Sequence, residues 1–167
     1  MPFGHVVPIV PAFEDYSYML FDACDAWDLT VEGGGCAIYP MMGDINWNAV
    51  AAICDGSKVI VYDRRLSGRV GYSGAQAIIA HELGHLVCGH LDENDASIER
   101  NHAIELEADA FAAATLRRLG FSLEDIFSYE PLLSESPSIS HPTKSARLAA
   151  LAAGWNDPTA VMNCIGP

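Results

Sequence analysis

The chain has 167 residues, half of them hydrophobic and 19% charged, a composition that suits one globular domain and excludes a disordered tail or a coiled coil. Its formal net charge of −13, with only nine Lys and Arg, excludes a nucleic-acid surface, which needs concentrated cations, and gives no attraction to an anionic membrane. No apolar run approaches the roughly 18 residues that span a bilayer, and the start Met1-Pro2-Phe3-Gly4-His5 lacks the basic and apolar regions of a signal peptide. A soluble, cytoplasmic protein without membrane insertion is expected.

In chain order, Met19, Leu20, Ala23 and Trp27 recur at helical spacing and predict a helix over 16–27. Gly33 to Asn46 reads as a loop opened by Gly33-Gly34-Gly35, and 49–54 with 58–62 read as a hairpin around Asp55-Gly56. Ser73-Gly74-Ala75-Gln76 has the form of a capping box, in which Ser and Gln side chains satisfy each other's free amides, so a helix is expected from Gly74 to Gly89. The polar stretch 91–100 is then a connecting loop, and Ile104, Ala108, Phe111 and Thr115 predict a second long helix over 101–119, closed by Gly120. A short helix near 123–129, an irregular Pro- and Ser-rich stretch over 131–140, and a final helix opened by Pro142 and ending at Gly154 complete a helical C-terminal half. The five cysteines, Cys24, Cys36, Cys54, Cys88 and Cys164, are odd in number and form no CxxC pair, so reduced thiols are expected, with Cys88 a small core residue.

The chemistry is concentrated in His81-Glu82-Leu83-Gly84-His85. This is HExxH, and on a helix its two histidines project from one face, near enough to share one zinc ion, with Glu82 beside them. A catalytic zinc takes three protein ligands and keeps one position open. The next helix offers Glu105, Glu107 and Asp109; Glu105 and Asp109 share a face, and Glu107 points away from it. His90 is a rival, but the extended metzincin pattern would place Gly where Val87 stands and His where Leu91 stands. His90 and His102 are therefore read as hydrogen-bonded structural histidines.

His81 to His85, Gly89-His90 and Glu105-Leu106-Glu107-Ala108-Asp109 resemble the HExxH…ExxAD arrangement of zinc gluzincins of the HtpX and CAAX-protease type, in a soluble minimal version. Asn48-Ala49-Val50-Ala51 is similar to that family's substrate-side edge strand, and Ser140-His141-Pro142 with Arg147 to its C-terminal "SHP…R" segment. The resemblance spans 48–155, leaves 1–47 without a recognised motif, and implies one zincin-like domain over 1–167. It implies one Zn²⁺ held by His81, His85 and Glu105, Glu82 as general base, and Asp109 as the carboxylate that fixes a ligand imidazole. His141, Tyr72 or Arg147 could supply a donor to the developing oxyanion, with His141 favoured; Lys144 and Arg147 could also meet a substrate carboxylate.

The fold expected is α+β, a small mixed sheet packed on the HExxH helix. The function expected is zinc-dependent endopeptidase action on a peptide or protein laid along 48–51, with no particular oligomeric state implied. A second resemblance is to peptidases of the ImmA/IrrE type, which share HExxH with a later ExxA[ND] stretch and act on repressors or signalling partners. Ala108-Asp109, Gly120 and His141-Pro142 favour the first family. A zinc-bound module without catalysis is the reading from another class, and the intact Glu82 speaks against it; a hydrolase of other carbonyl substrates is a further one.

Overall fold

The computed structural model describes residues 7–94 and 96–165; the expectation drawn from the first five residues lies outside them. The chain forms β1 (Val10–Pro11), α1 (Glu14–Asp25), β2 (Ile38–Met42), β3 (Ala49–Cys54), β4 (Ser57–Tyr62), α2 (Leu66–Val87), α3 (Ile98–Arg118), α4 (Leu123–Ile126) and α5 (Lys144–Asn156). Short 3₁₀ turns occupy His90–Asp92, Glu130–Leu132 and Pro158–Cys164.

The sheet has the order β1-β2-β4-β3 and is mixed, with β2 and β4 parallel and the outer pairs antiparallel. β3 is therefore an edge strand. The hairpin was legible; β2 was not, because Pro40 in its middle argues against a strand. The Pro40 carbonyl accepts the Ala12 amide at 3.0 Å, so its missing amide faces the short β1 and costs no bond to β4. The segment 33–46 is accordingly not a free loop: it carries an inner strand on the far side of the sheet from β3.

α2 packs across the sheet and against α1, while α3 lies between α2 and α5. Tyr16 of α1 stacks on Tyr62 of β4 with ring centroids 5.3 Å apart, and the Trp27 indole donates to Thr115 Oγ1 of α3 at 2.8 Å. A fully buried core of Leu20, Ile60, Ile79, Leu83, Phe111 and Leu116 joins sheet and helices. The arrangement is the expected α+β, zincin-like one, with the HExxH segment on α2 and a helical C-terminal half.

Two helix boundaries differ from expectation for identifiable reasons. α2 begins before the expected cap and is interrupted at Gly71, whose φ of 73° and ψ of 177° suit only glycine. Ser73 and Gln76 consequently cap nothing: Ser73 Oγ donates to Asp125 at 2.9 Å and Gln76 Nε2 to the Met19 carbonyl at 2.8 Å. α5 starts at a Thr143 cap, not at Pro142, and runs past Gly154 to Asn156. Gly154 is a contact residue and not a stop, since a Cβ there would meet the Ala110 carbonyl at 2.1 Å.

The thiols are the larger correction. Cys24 bonds Cys36 and Cys88 bonds Cys164, leaving Cys54 exposed and free. The second bridge spans 76 positions and ties the end of α2 to the C-terminal turn, a pairing made by the fold and invisible in local spacing. Among the described residues no helix is long and apolar enough to cross a membrane.

Candidate active site

His81 and His85 sit one turn apart on α2 with their Nε2 atoms 3.0 Å from each other. α3 crosses this face and brings Glu105, whose two carboxylate oxygens lie 3.3 Å from His81 Nε2 and 3.3 Å from His85 Nε2. The three side chains are buried, and one ligand atom from each lies within 4.8 Å of the others. Glu105 Oε2 is buried without a hydrogen-bond partner, an arrangement that makes sense when a cation completes it. Tetrahedral coordination at about 2.0–2.1 Å spaces ligand atoms roughly 3.3 Å apart; the imidazole nitrogens are 3.0 Å apart and each is 3.3 Å from one of the two Glu105 oxygens, close enough for the donor set to fit a divalent metal.

The imidazoles are held from behind. Asp109, one turn beyond Glu105 and completely buried, accepts from His81 Nδ1 at 2.9 Å, from the Tyr129 hydroxyl at 3.0 Å, and from Arg147 Nε and Nη2 at 2.8 Å each. Burial lowers the His81 pKa, but the Asp109 and Glu105 carboxylates outweigh it and raise the metal-free group to about 10. Burial would raise Glu105, yet the two imidazoles hold it well below the usual carboxylate range. His85 is shifted down, chiefly by burial.

Glu82 turns from the helix toward β3, where one carboxylate oxygen accepts the Ala51 amide at 2.7 Å. Desolvation lifts its pKa to about 7, opposed by His81 and by that amide. Around this group opens a cleft of about 690 Å³, bounded on one side by Asn48, Ala49, Val50 and Ala51 and on the other by the 132–142 segment. The far wall is pinned to α3, because His102 Nε2 bonds the Ser138 carbonyl at 2.7 Å and Asn101 Nδ2 donates to the Ile139 carbonyl at 3.3 Å.

The three oxyanion candidates separate clearly. His141 lines the cleft, half exposed, with Nε2 3.6 Å from Glu105 Oε2 and Nδ1 2.7 Å from Ser140 Oγ. Arg147 also reaches the cleft, but its guanidinium is hydrogen-bonded to Asp109 and lies 3.8 Å from Glu105 Oε2. Tyr72 is exposed and stacks on Phe121 elsewhere. Lys144 pairs with Glu130 at 2.9 Å and Glu135 at 3.3 Å, so no substrate carboxylate is needed to explain it.

Residues 48–116 match the IrrE N-terminal-like domain of the peptidase M78 family. That segment, about two fifths of the chain, is similar to an IrrE-like zinc-peptidase domain. The match supports the second of the two resemblances seen in the sequence, and the buried His81-Glu82…His85…Glu105 arrangement has the form of a zinc-protease active site, consistent with metal-activated hydrolysis. No curated protein and no solved structure matches the chain. The matched segment contains β3, β4, α2 and nearly all of α3, so Tyr129, His141 and Arg147 are contributed from beyond it. Tyr129 carried no sequence signal, and Glu107 was read as pointing away; it does point away from the Glu105 face, but toward His90, which it meets at 2.9 Å.

Proposed function

We propose that the metal is zinc and that the protein is an endopeptidase that cuts a protein partner bound as an added strand along β3. The observation that carries this reading is the convergence of His81, His85 and Glu105 at 3.0–3.3 Å directly beside a carboxylate, Glu82, bonded to an edge strand. Two neutral imidazoles and one carboxylate suit zinc, and hard-cation sites for calcium or magnesium use oxygen alone.

When bound, zinc supplies Lewis acidity, acidifying a water and polarising the scissile carbonyl. His81, His85 and Glu105 would hold it, and Asp109 keeps the His81 Nδ1 proton away from the metal side. Glu82 accepts the proton of the attacking water on its free oxygen and delivers it to the leaving amine. Backbone groups along 48–51 orient the substrate in extended form, and His141, at the open side of Glu105, is placed to donate to the oxyanion.

The IrrE-like match favours a regulatory peptidase acting on a specific protein partner. A non-catalytic zinc module is disfavoured because Glu82 is both present and aimed into the cleft. We read residues 1–167 as one zincin-like unit, since α5 lends Arg147 to the site and 132–142 lends the cleft wall. The two disulfides favour an oxidising milieu over the reducing cytoplasm expected from the sequence.

Elemental analysis of wild type, Glu82→Gln and Glu105→Ala, with cleavage of an unfolded protein, tests the proposal. One zinc in wild type and Glu82→Gln, weaker binding in Glu105→Ala, and cleavage by wild type alone support it. Absence of zinc from wild type would sink it.

A further inference from the structure

We propose that His90 and Glu107 are positioning residues for the metal site, forming a proton-directed relay that fixes the tautomer of His85. This rests on the metal-site reading above and extends it to residues outside the motif.

α2 ends at Val87 with Cys88 as its C-cap, and Gly89, with φ 74° in the left-handed region, swings the chain back so that His90 lies beneath His85. The His90 side chain is fully enclosed. Its Nδ1 lies 3.0 Å from His85 Nδ1 and its Nε2 lies 2.9 Å from Glu107 Oε2. Glu107 is itself anchored, since Oε1 accepts from Arg100 Nη1 at 3.1 Å, and Arg100 also pairs with Glu93.

The donor bookkeeping is restrictive. Glu107, as a carboxylate, only accepts, so His90 carries a proton on Nε2. Two arrangements then join the rings through their Nδ1 atoms. In one, His90 is doubly protonated and donates to His85 Nδ1, which leaves the neutral His85 proton on Nε2, where it blocks coordination. In the other, His85 Nδ1–H donates to a neutral His90, and His85 Nε2 presents its lone pair beside His81 Nε2 and Glu105. Only the second is compatible with a metal. His81 reaches the same state through one carboxylate, Asp109, and His85 reaches it through an imidazole backed by a carboxylate. Such outer partners orient the ring and raise its basicity.

Metal-free protein is titrated with Co²⁺ against a competing chelator at fixed pH, for wild type, His90→Phe and His90→Asn, with thermal unfolding of each metal-free form as the folding control. His90→Phe removes the acceptor and should weaken Co²⁺ binding about 10–100-fold, and His90→Asn, whose side-chain oxygen can take the place of Nδ1, should recover most of that loss. Nitrogen-edited NMR of metal-loaded wild type provides a reading independent of any variant, expected to show His85 protonated on Nδ1 and His90 on Nε2 alone. Co²⁺ affinity in a folded His90→Phe within about twofold of wild type, or a proton on His90 Nδ1 in the loaded protein, would overturn the relay while leaving the metal site standing; failure of wild type to bind metal would instead overturn the reading on which it rests.

Discussion

The carboxylate of Glu82 accepts the backbone amide of Ala51 at 2.7 Å, so the residue proposed as general base is joined directly to the open edge of the sheet. Ala51 is opposite Ile60 in the β3–β4 register, yet its amide points off the edge toward α2. Proline at 51 would delete that donor while leaving the ladder on the other side. The Ala51 amide lowers the Glu82 pKa against the desolvation that raises it to about 7. Losing the amide raises it further, and because a general base acts only as the carboxylate, activity must then rise at higher pH. A folded Ala51→Pro variant should show its acid limb displaced upward, losing roughly tenfold in rate at pH below the limb for each unit moved. A pH–rate profile superimposable on wild type would refute the role given to this contact.

Metal binding and protons are linked with a definite sign. Metal-free His81 is raised to about 10 from the usual 6.5, so at neutral pH it holds a proton that coordination must expel. Affinity should increase about tenfold per pH unit across that window, with about one proton released per metal near pH 8. The stability linkage of the metal-free form runs the other way. Its contribution from His81 is complete below pH 6.5 and is lost as pH rises toward 10, so metal-free protein should lose thermal stability over the range where metal binding strengthens. Chelator competition and thermal scans at matched pH values check both halves.

Local chemistry was the legible part of this molecule. His81, Glu82 and His85 are neighbours on one helix and Glu105 with Asp109 share a face of the next, so helical periodicity offered the candidates, and the family resemblance singled out Glu105 as ligand and Asp109 as the partner of a ligand histidine. What escaped the sequence depends on contacts between distant segments. Tyr129 and Arg147 meet on Asp109 from separate elements, and Glu107 gained its partner only because the Gly89 turn folds His90 back. Ser73 and Gln76 have the composition of a cap but are used in bonds to Asp125 and Met19, and Gly154 marks a close helix crossing and not an end.

Asp109 and Arg147 form a buried pair whose breakage should cost more than its replacement. Asp109→Ala leaves an enclosed guanidinium with no hydrogen-bonded carboxylate and only Glu105, 3.8 Å away, as counter-charge, and should destabilise the metal-free fold by about 3 kcal/mol. Adding Arg147→Met removes the stranded charge and should restore part of that stability in urea unfolding. Metal affinity should stay about 10–100-fold weak in the double variant, because His81 Nδ1 still lacks its acceptor. Recovery of affinity together with stability would show that Asp109 serves the fold alone.

The two disulfides should differ in what their loss does to the site. Cys24–Cys36 closes a separation of 12 positions and Cys88–Cys164 one of 76, which by loop-closure entropy correspond to about 3 and about 4.5 kcal/mol of constraint on the unfolded chain. Cys88 caps α2 three residues after His85 and two before His90, so its bridge restrains the turn that carries His90 beneath the ligand. Cys164→Ser should therefore lower both the unfolding midpoint and metal affinity, whereas Cys24→Ser should lower the midpoint and leave affinity within about twofold. Comparing the two variants by thermal unfolding and by Co²⁺ titration separates a general staple from one that acts on the site, and equal affinities in both would reduce Cys88–Cys164 to the former.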